Sequence, residues 1–449
     1  MNIGAGRDVF TRIRILTKAT FASHPWLLMA SIVVASAMTG FALIALDEQL
    51  RFEPKGARSW LYGGTPESAI SLLSAVGSSA ITVAGVVFSA TFVTMQLASS
   101  QYTPRVLQAL SDRWYLHIVL GAFLGNFMYS MVVLRSVRPA GSTNGEPFLP
   151  VIAVSLSVVY SLVCVGVLIY YITYGMKSLQ PSSLIDSAAR ATVTLLEKRT
   201  RIAEGQSDDI SEGLDELTTP PDDAYILEAS RPNFIVGLRL NKLTQIAEAH
   251  DIHVAVVARI GQYALYREPL LKAWPRENVT AAAISGLEGC VWMDAERRPE
   301  QDLEFGVRRV ADIMLKALSQ SINDPTTAEH SLNRICDLLI LISTSTKPTS
   351  ASRDSSGVVR VTWTQISFEE YVHTALGQLR FYIGTDVSLI RYSLGMLEVT
   401  ASRVQPAHYR WIAGEARRLV ETVTENIQRQ QDVDLIVNAG SWASSIEPT

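Results

Sequence analysis

The sequence predicts a mainly α protein: a polytopic helical membrane domain with four spans, then a mostly helical cytoplasmic domain with a small mixed α/β insert. Three observations predict it. Four long apolar runs crowd into the N-terminal part of the chain. The 449 residues are 48% hydrophobic and only 18% charged, a balance that suits a chain part membrane and part globular. Beyond residue 177 the long runs give way to shorter helical and strand periodicities.

Composition also excludes. A formal net charge of -4, with no basic stripe interleaved with aromatics, argues against a nucleic-acid partner. The three cysteines, Cys164, Cys290 and Cys336, are odd in number and far apart, which fits neither a disulfide framework nor a zinc site.

The first span is expected at 25–46, behind an arm carrying Arg7, Arg12, Arg14 and Lys18 against Asp8. Ala35-Ser36-Ala37 has the form of a signal-peptide cleavage site. The apolar run continues past it through Phe41, Leu43, Ile44 and Leu46, so the span is read as uncleaved.

The second span, 68–103, is the one around which the chain is organised. No charged side chain lies between Glu67 and Arg105. At ~1.5 Å per residue such a helix is roughly 54 Å long, against about 30 Å of hydrocarbon, so it overshoots, tilts or breaks. Alternating steps of three and four pick out Ser71, Ser74, Ser78, Thr82, Gly85, Ser89, Phe92, Gln96, Ser99 and Thr103, small or polar at every position but one. Such a stripe suits close helix packing or a hydrated path around a symmetry axis. Periodicity alone leaves both open. Arg105, just beyond, is placed either among lipid headgroups or at a cytoplasmic pore mouth.

The third span, 114–134, contains Gly121 and Gly125 in G-x-x-x-G spacing, a face for close helix packing, with Asn126 beside it to bond a neighbouring helix. The fourth, 148–174, ends in Tyr170, Tyr171 and Tyr174 as an interfacial belt, with Lys177 beyond. The N-terminal arm, the loop between spans two and three and the segment after span four carry more Lys and Arg than the other two loops. The positive-inside rule then puts both termini in the cytoplasm; the plasma (inner) membrane is the expected location. Without Asp, Glu, Lys or Arg in the spans, and with only His117 ionisable there, ion-coupled transport is disfavoured.

Residues 1–177 thus form the membrane domain, and 178–223 a connecting helix and polar linker. Residues 224–275 form the α/β unit, with strands at 225–228, 234–238, 252–258 and 263–271 around a helix at 240–250. Residues 276–449 are read as mainly helical, with helices at 300–318, from Pro325 behind an Asp324 cap, from a Ser367–Glu370 capping box to 400 with a break near Gly384, and at 406–431. Within this part Ser343–Gly357 is the most disorder-prone stretch, and 358–363 suits a strand.

Nothing in the chain matches a phosphate-binding loop, a dinucleotide fingerprint, a zinc-protease helix or a nucleophile elbow. His250 and His253 lack a nearby carboxylate or cysteine in sequence and read as solvated. Asn323-Asp324-Pro325, with Glu329 and His330, reads as a helix start. Arg297, Arg298, Glu300, Asp302, Arg308 and Arg309 read as a solvated or inter-helix ion-pair face. No catalytic residue, metal or cofactor is expected.

Several blocks carry a family resemblance: Ser78–Arg105, Arg297–Arg309, Ala317–Ala328, and Ala375–Arg391 with Gln378, Arg380 and Asp386. They are similar to the bacterial predicted-membrane-protein family termed domain of unknown function 2254. The resemblance implies a multi-span membrane domain with a cytoplasmic domain behind it, and no activity.

Two functions are then expected from different classes. One is a channel or passive pore lined by the second span and regulated by the cytoplasmic domain. Four spans offer only one polar face, so this pore requires a homo-oligomeric ring in the lipid bilayer. The other is a non-conducting membrane scaffold or sensor whose cytoplasmic domain binds a partner or an ion. An enzyme is not expected.

Overall fold

The computed structural model describes residues 26–50, 61–101, 114–139, 147–178, 180–204, 219–345 and 350–444. The basic N-terminal arm, Thr103, Arg105 and most of the polar linker lie outside the described residues. The chain divides into two compact units, 1–180 and 181–449.

Four helices in the first unit are long and apolar enough to cross a membrane: α1 (Trp26–Leu50), α2 (Pro66–Gln101), α3 (Trp114–Ser136) and α4 (Val151–Ser178). Each is an unbroken apolar run, and in a bilayer a helix satisfies every backbone polar group within its own segment. The third is the hub, packed against each of the other three. Half of its most apolar window is buried, against 11% for α1. Leu73, Tyr129, Val133 and Val154 form one core cluster, and Ala84, Val119, Phe123 and Cys164 another.

One boundary differs from the sequence reading with consequences. The first helix runs on to Leu50, so Asp47 and Glu48 are helical rather than loop. Asp47 is buried, and the span therefore does carry an acid. Its oxygens accept the backbone N–H groups of Ile152 and Ala153 at 3.2 and 3.0 Å, in the first turn of α4. That is where unpaired N–H groups and the helix dipole favour a carboxylate.

The second unit opens with α5 (Pro181–Glu204) and holds two sheets. Strands β1 (Tyr225–Glu228), β5 (Pro269–Trp274), β3 (His253–Val256), β8 (Val359–Trp363) and β7 (Ala351–Arg353) lie side by side in that order. Strands β4 (Tyr263–Ala264), β2 (Asn233–Leu238) and β6 (Val291–Asp294) form the second sheet. Helices α6 (Leu240–Ala249) and α7 (Ala281–Glu288) complete this layer, over a core that includes Ile235, Leu243, Ile252, Leu271, Leu287 and Val361.

The sheets reach further along the chain than 224–275. The parallel pairing of β3 with β8 and the strand β6 draw later residues into them. The run 263–271, read as one strand, splits into β4 and β5 on different sheets. The chain turns between them at Arg267, whose φ is 63°. The stretch 343–357, read as disorder-prone, contains the end of a helix and strand β7, while 346–349 lies outside the described residues.

The rest is helical. Helix α8 (Leu303–Ala317) starts at an Asp302 cap and packs on α5, α9 (Pro325–Thr344) and α10 (Phe368–Leu376). Asp324 caps α9 by accepting the Thr327 N–H, with Pro325 at the first helical position. The Ser367–Glu370 capping box opens α10. The long helix expected after it is three pieces: α10, the short α11 (Leu379–Tyr382) and α12 (Val387–Arg403). Gly384 between the last two has a φ of 66°. The final helix expected at 406–431 is α13 (Tyr409–Thr424), and a further helix, α14 (Gln430–Gly440), follows.

Candidate functional site

On α2 the polar stripe and the packing face are different faces. Ala69, Leu73, Gly77, Ala80, Ala84 and Val87 are buried. This face meets α3: a Cβ added at Gly77 would lie 3.0 Å from Met131 Cε. Ser71, Ser74, Ser78, Thr82, Gly85, Ser89, Gln96 and Ser99 are all exposed in the protomer, as is Phe92. At Gly85 an added Cβ would meet nothing within 4 Å. The stripe is therefore unused within one copy of the unit.

Three stripe hydroxyls bond back to their own helix. Ser71 donates to Glu67 O at 3.1 Å, Ser78 to Ala75 O at 3.1 Å and Thr82 to Ser78 O at 2.7 Å. A hydroxyl satisfied this way can face lipid, water or a second helix without an orphaned donor. Further along, Thr91 Oγ1 and Tyr171 Oη share a hydrogen bond of 2.5 Å that ties α2 to α4.

Gly121 and Gly125 lie where α3 crosses α1. A Cβ on Gly121 would approach Met29 Cα and Ile32 Cβ to 3.3 Å. A Cβ on Gly125 would meet Ser36 Oγ at 2.6 Å and Tyr160 Oη at 2.5 Å. Those two oxygens hydrogen-bond each other at 2.8 Å, so the glycine leaves room for a bond between α1 and α4. Asn126 Nδ2 donates to Ser161 Oγ at 3.3 Å.

Sequence reading located the exposed polar stripe and, of a buried polar seam, only Asn126 with its bond to a neighbouring helix. Its other members, Ser36, Ser130, Ser157, Tyr160 and Asp47, are spread over three helices and are individually unremarkable. The signals for these were the four-residue spacings Asn126/Ser130 and Ser157/Ser161.

In the second unit the charged blocks hold helices together. Arg297 grips Asp302 through Nε and Nη2 at 2.8 and 3.0 Å, and reaches Glu304 at 3.0 Å. Glu304 also accepts from Thr374 on α10, and Arg308 links Asp312 to Gln378. Asp302 is nearly inaccessible, and its burial raises its carboxyl above the usual range while Arg297 opposes that rise. Arg298 pairs with Asp294. Arg309 departs from the solvated alternative of the expected solvated or inter-helix ion-pair face: it is buried, and its Nε has no hydrogen-bond partner among the described residues.

Glu415 is buried between Arg380 and Arg418 at 3.2 and 2.8 Å. His253 bonds Val359 O and stacks on Trp274, His250 lies 3.5 Å from Thr280, and His330 contacts Asp186. All three cysteines are free and buried. Among the described residues no group of three His, Cys, Asp or Glu side chains is placed to hold a metal ion.

Four apolar helices with a shared polar seam, joined in sequence to an α/β and helical unit, define a polytopic α-helical membrane protein. The chain belongs to the family described as "Predicted membrane protein (DUF2254)", which matches residues 22–399. It is 26% identical over 391 residues to the uncharacterized protein Rv1290c of Mycobacterium tuberculosis, covering 86% of this chain and 74% of that one. The uncharacterized protein Mb1321c of Mycobacterium bovis is similar to the same extent. No solved structure matches.

Proposed function

We propose that this membrane protein is a homo-oligomeric channel or passive pore of the inner membrane, lined by α2 and regulated by a cytoplasmic second unit. Both termini are cytoplasmic in this reading, and the protein is not an enzyme. One observation carries it: the polar stripe from Ser71 to Ser99 is exposed in the protomer while a separate small-residue face packs on α3. Packing within the protomer therefore does not account for the stripe. Copies arranged around an axis would give those hydroxyls water, and such a path suits a pore wall.

A second reading has an observation of its own. Because Ser71, Ser78 and Thr82 are satisfied by their own backbone, a dry seam between copies accommodates them equally well. The protein is then a non-conducting scaffold or sensor whose cytoplasmic unit binds a partner or an ion.

Ser78→Asp and Ser78→Leu separate the two. On a hydrated axis the carboxylate stays in water, so Ser78→Asp folds and shifts conduction toward cations, while Ser78→Leu narrows and dewets the path. In a dry seam the charge costs ~2.5–3.5 kcal/mol at the helix centre and folded protein is lost. Liposome flux, read beside the size-exclusion profile, gives the answer. A misfolded Ser78→Asp together with a silent parent protein refutes the pore.

A further inference from the structure

Three buried side-chain oxygens of the membrane unit have no hydrogen-bond partner among the described residues: Asn126 Oδ1, Ser130 Oγ and Ser157 Oγ. Their residues are 2%, 0% and 0% exposed. Asn126 and Ser130 lie on α3 and Ser157 on α4, and Ser130 also faces Gly77 of α2. Helices α3 and α4 are antiparallel, with their register set by Cys164 Sγ on Ala122 O, Asn126 Nδ2 on Ser161 Oγ and Tyr129 Oη on Ala153 O. Ser130 is one turn after Asn126, and Ser157 is one turn before Ser161. In an antiparallel pair this register brings Ser130 and Ser157 to one level of the seam, one helical turn (~5.4 Å) from that of Asn126.

Neighbouring serines behave differently. Ser36, Ser155 and Ser161 each donate to the carbonyl four residues back, at 2.8, 2.7 and 2.9 Å. Ser130 and Ser157 make no such bond. Buried polar groups of folded proteins are almost always paired, with protein or with ordered water, so three together at one contact point to a bound partner.

We propose that the α3–α4 seam is a binding site for one ordered water molecule, held by Asn126, Ser130 and Ser157. The chemistry selects this ligand. Asn126 Oδ1 only accepts, whereas each hydroxyl can donate. A water that donates to Asn126 and accepts from Ser130 and Ser157 satisfies all three with three of its four hydrogen-bonding positions. A monovalent cation would find neutral oxygens but no carboxylate. The nearest acid in the unit's core, Asp47, already has both oxygens engaged by the N–H groups of Ile152 and Ala153. An apolar solute would leave all three orphaned. The site lies inside the protomer, and it stands or falls independently of the pore reading.

The test is water-edited solid-state NMR of the full chain in liposomes. Magnetisation passes from water to the Asn126 side-chain amide and to Ser130 and Ser157 in the unmodified protein. It is lost at Asn126 in Ser130→Ala/Ser157→Ala, which leaves the water one partner where two to four are needed. The unmodified protein alone can refute the site: no transfer at these three residues means a dry seam. A thermal midpoint that rises on exchanging K+ for Na+ at fixed ionic strength, and does so only while Asn126 is present, assigns the site to a cation and equally overturns the proposal.

Discussion

Asp47, at the end of α1, receives the backbone N–H of Ala153 at 3.0 Å and so caps a helix that starts far away in sequence. With Ile152 it forms a two-pronged cap, one N–H on each carboxylate oxygen. Removing a side-chain cap costs about 0.5–2 kcal/mol, and bonds to a charged acceptor are the stronger kind. Asp47→Ala is expected to lower the thermal midpoint in detergent, and Asp47→Asn to lower it less, because the amide keeps one acceptor oxygen. Equal midpoints for the parent and Asp47→Ala would remove the cap from the stability argument.

Gly125 permits the Ser36–Tyr160 bond by having no side chain. Gly125→Ala places a methyl within 2.6 Å of Ser36 Oγ, which forces that bond apart or pushes α1 away from α3. Gly121→Leu meets α1 backbone and cannot be relieved by a rotamer change. Both variants are expected to reduce the yield of monodisperse protein on fluorescence size exclusion, Gly121→Leu more severely. Normal yield for Gly121→Leu would mean α1 is free to move.

Gly261 sits at φ 89° with the Asp302 carboxylate and the Arg297 guanidinium against its Cα. A Cβ there would overlap both groups and strain the backbone as well. Strain of this kind costs about 1–3 kcal/mol before the displaced ion pair is counted. Gly261→Ala is therefore expected to destabilise the second unit measurably in urea unfolding. Asp302→Asn keeps an acceptor for the Phe305 N–H but breaks the pair with Arg297, and should cost less than Asp302→Ala.

Asp354 has an almost inaccessible side chain that accepts from Arg360 Nε at 2.7 Å and from the N–H groups of Ser356 and Val358 at 2.9 Å each. The Arg360 bond, with the two backbone bonds, holds its carboxyl below the usual range. A carboxylate with a depressed folded pKa contributes stability that is fully present above its unfolded value, about 3.9, and is lost as pH falls through the lower folded value. The contribution should therefore begin to fade below about pH 4 and be gone only below the depressed folded value. Arg360→Leu should flatten this acid limb of the unfolding free energy while leaving its slope at neutral pH unchanged. An identical acid limb in the variant would contradict the assignment.

Local chemistry was legible in the sequence wherever a signal is local. The apolar runs announced α1 to α4, because a span needs only its own residues to satisfy its backbone. The Asp324-Pro325 start and the Ser367–Glu370 box announced their helices, because a cap closes within four residues. The short α/β alternation after Tyr225 gave most strands in place.

What depends on a distant partner was decided only by tertiary structure. The stripe from Ser71 to Ser99 was visible as a periodicity, but periodicity does not say which face meets α3; Gly77 and Ala80 do, by their close approach. Asp47 read as the start of a loop because a charge ordinarily ends a span. Its burial is possible only because the free N–H groups of α4 arrive beside it. Strands β4 and β5 went to different sheets, and β3 took a parallel partner from much later in the chain, because pairing is set by non-local hydrogen bonds. The Asn126–Ser161 bond exists for the same reason: helix register, fixed by contacts between α3 and α4, brings together polar groups that the sequence keeps apart.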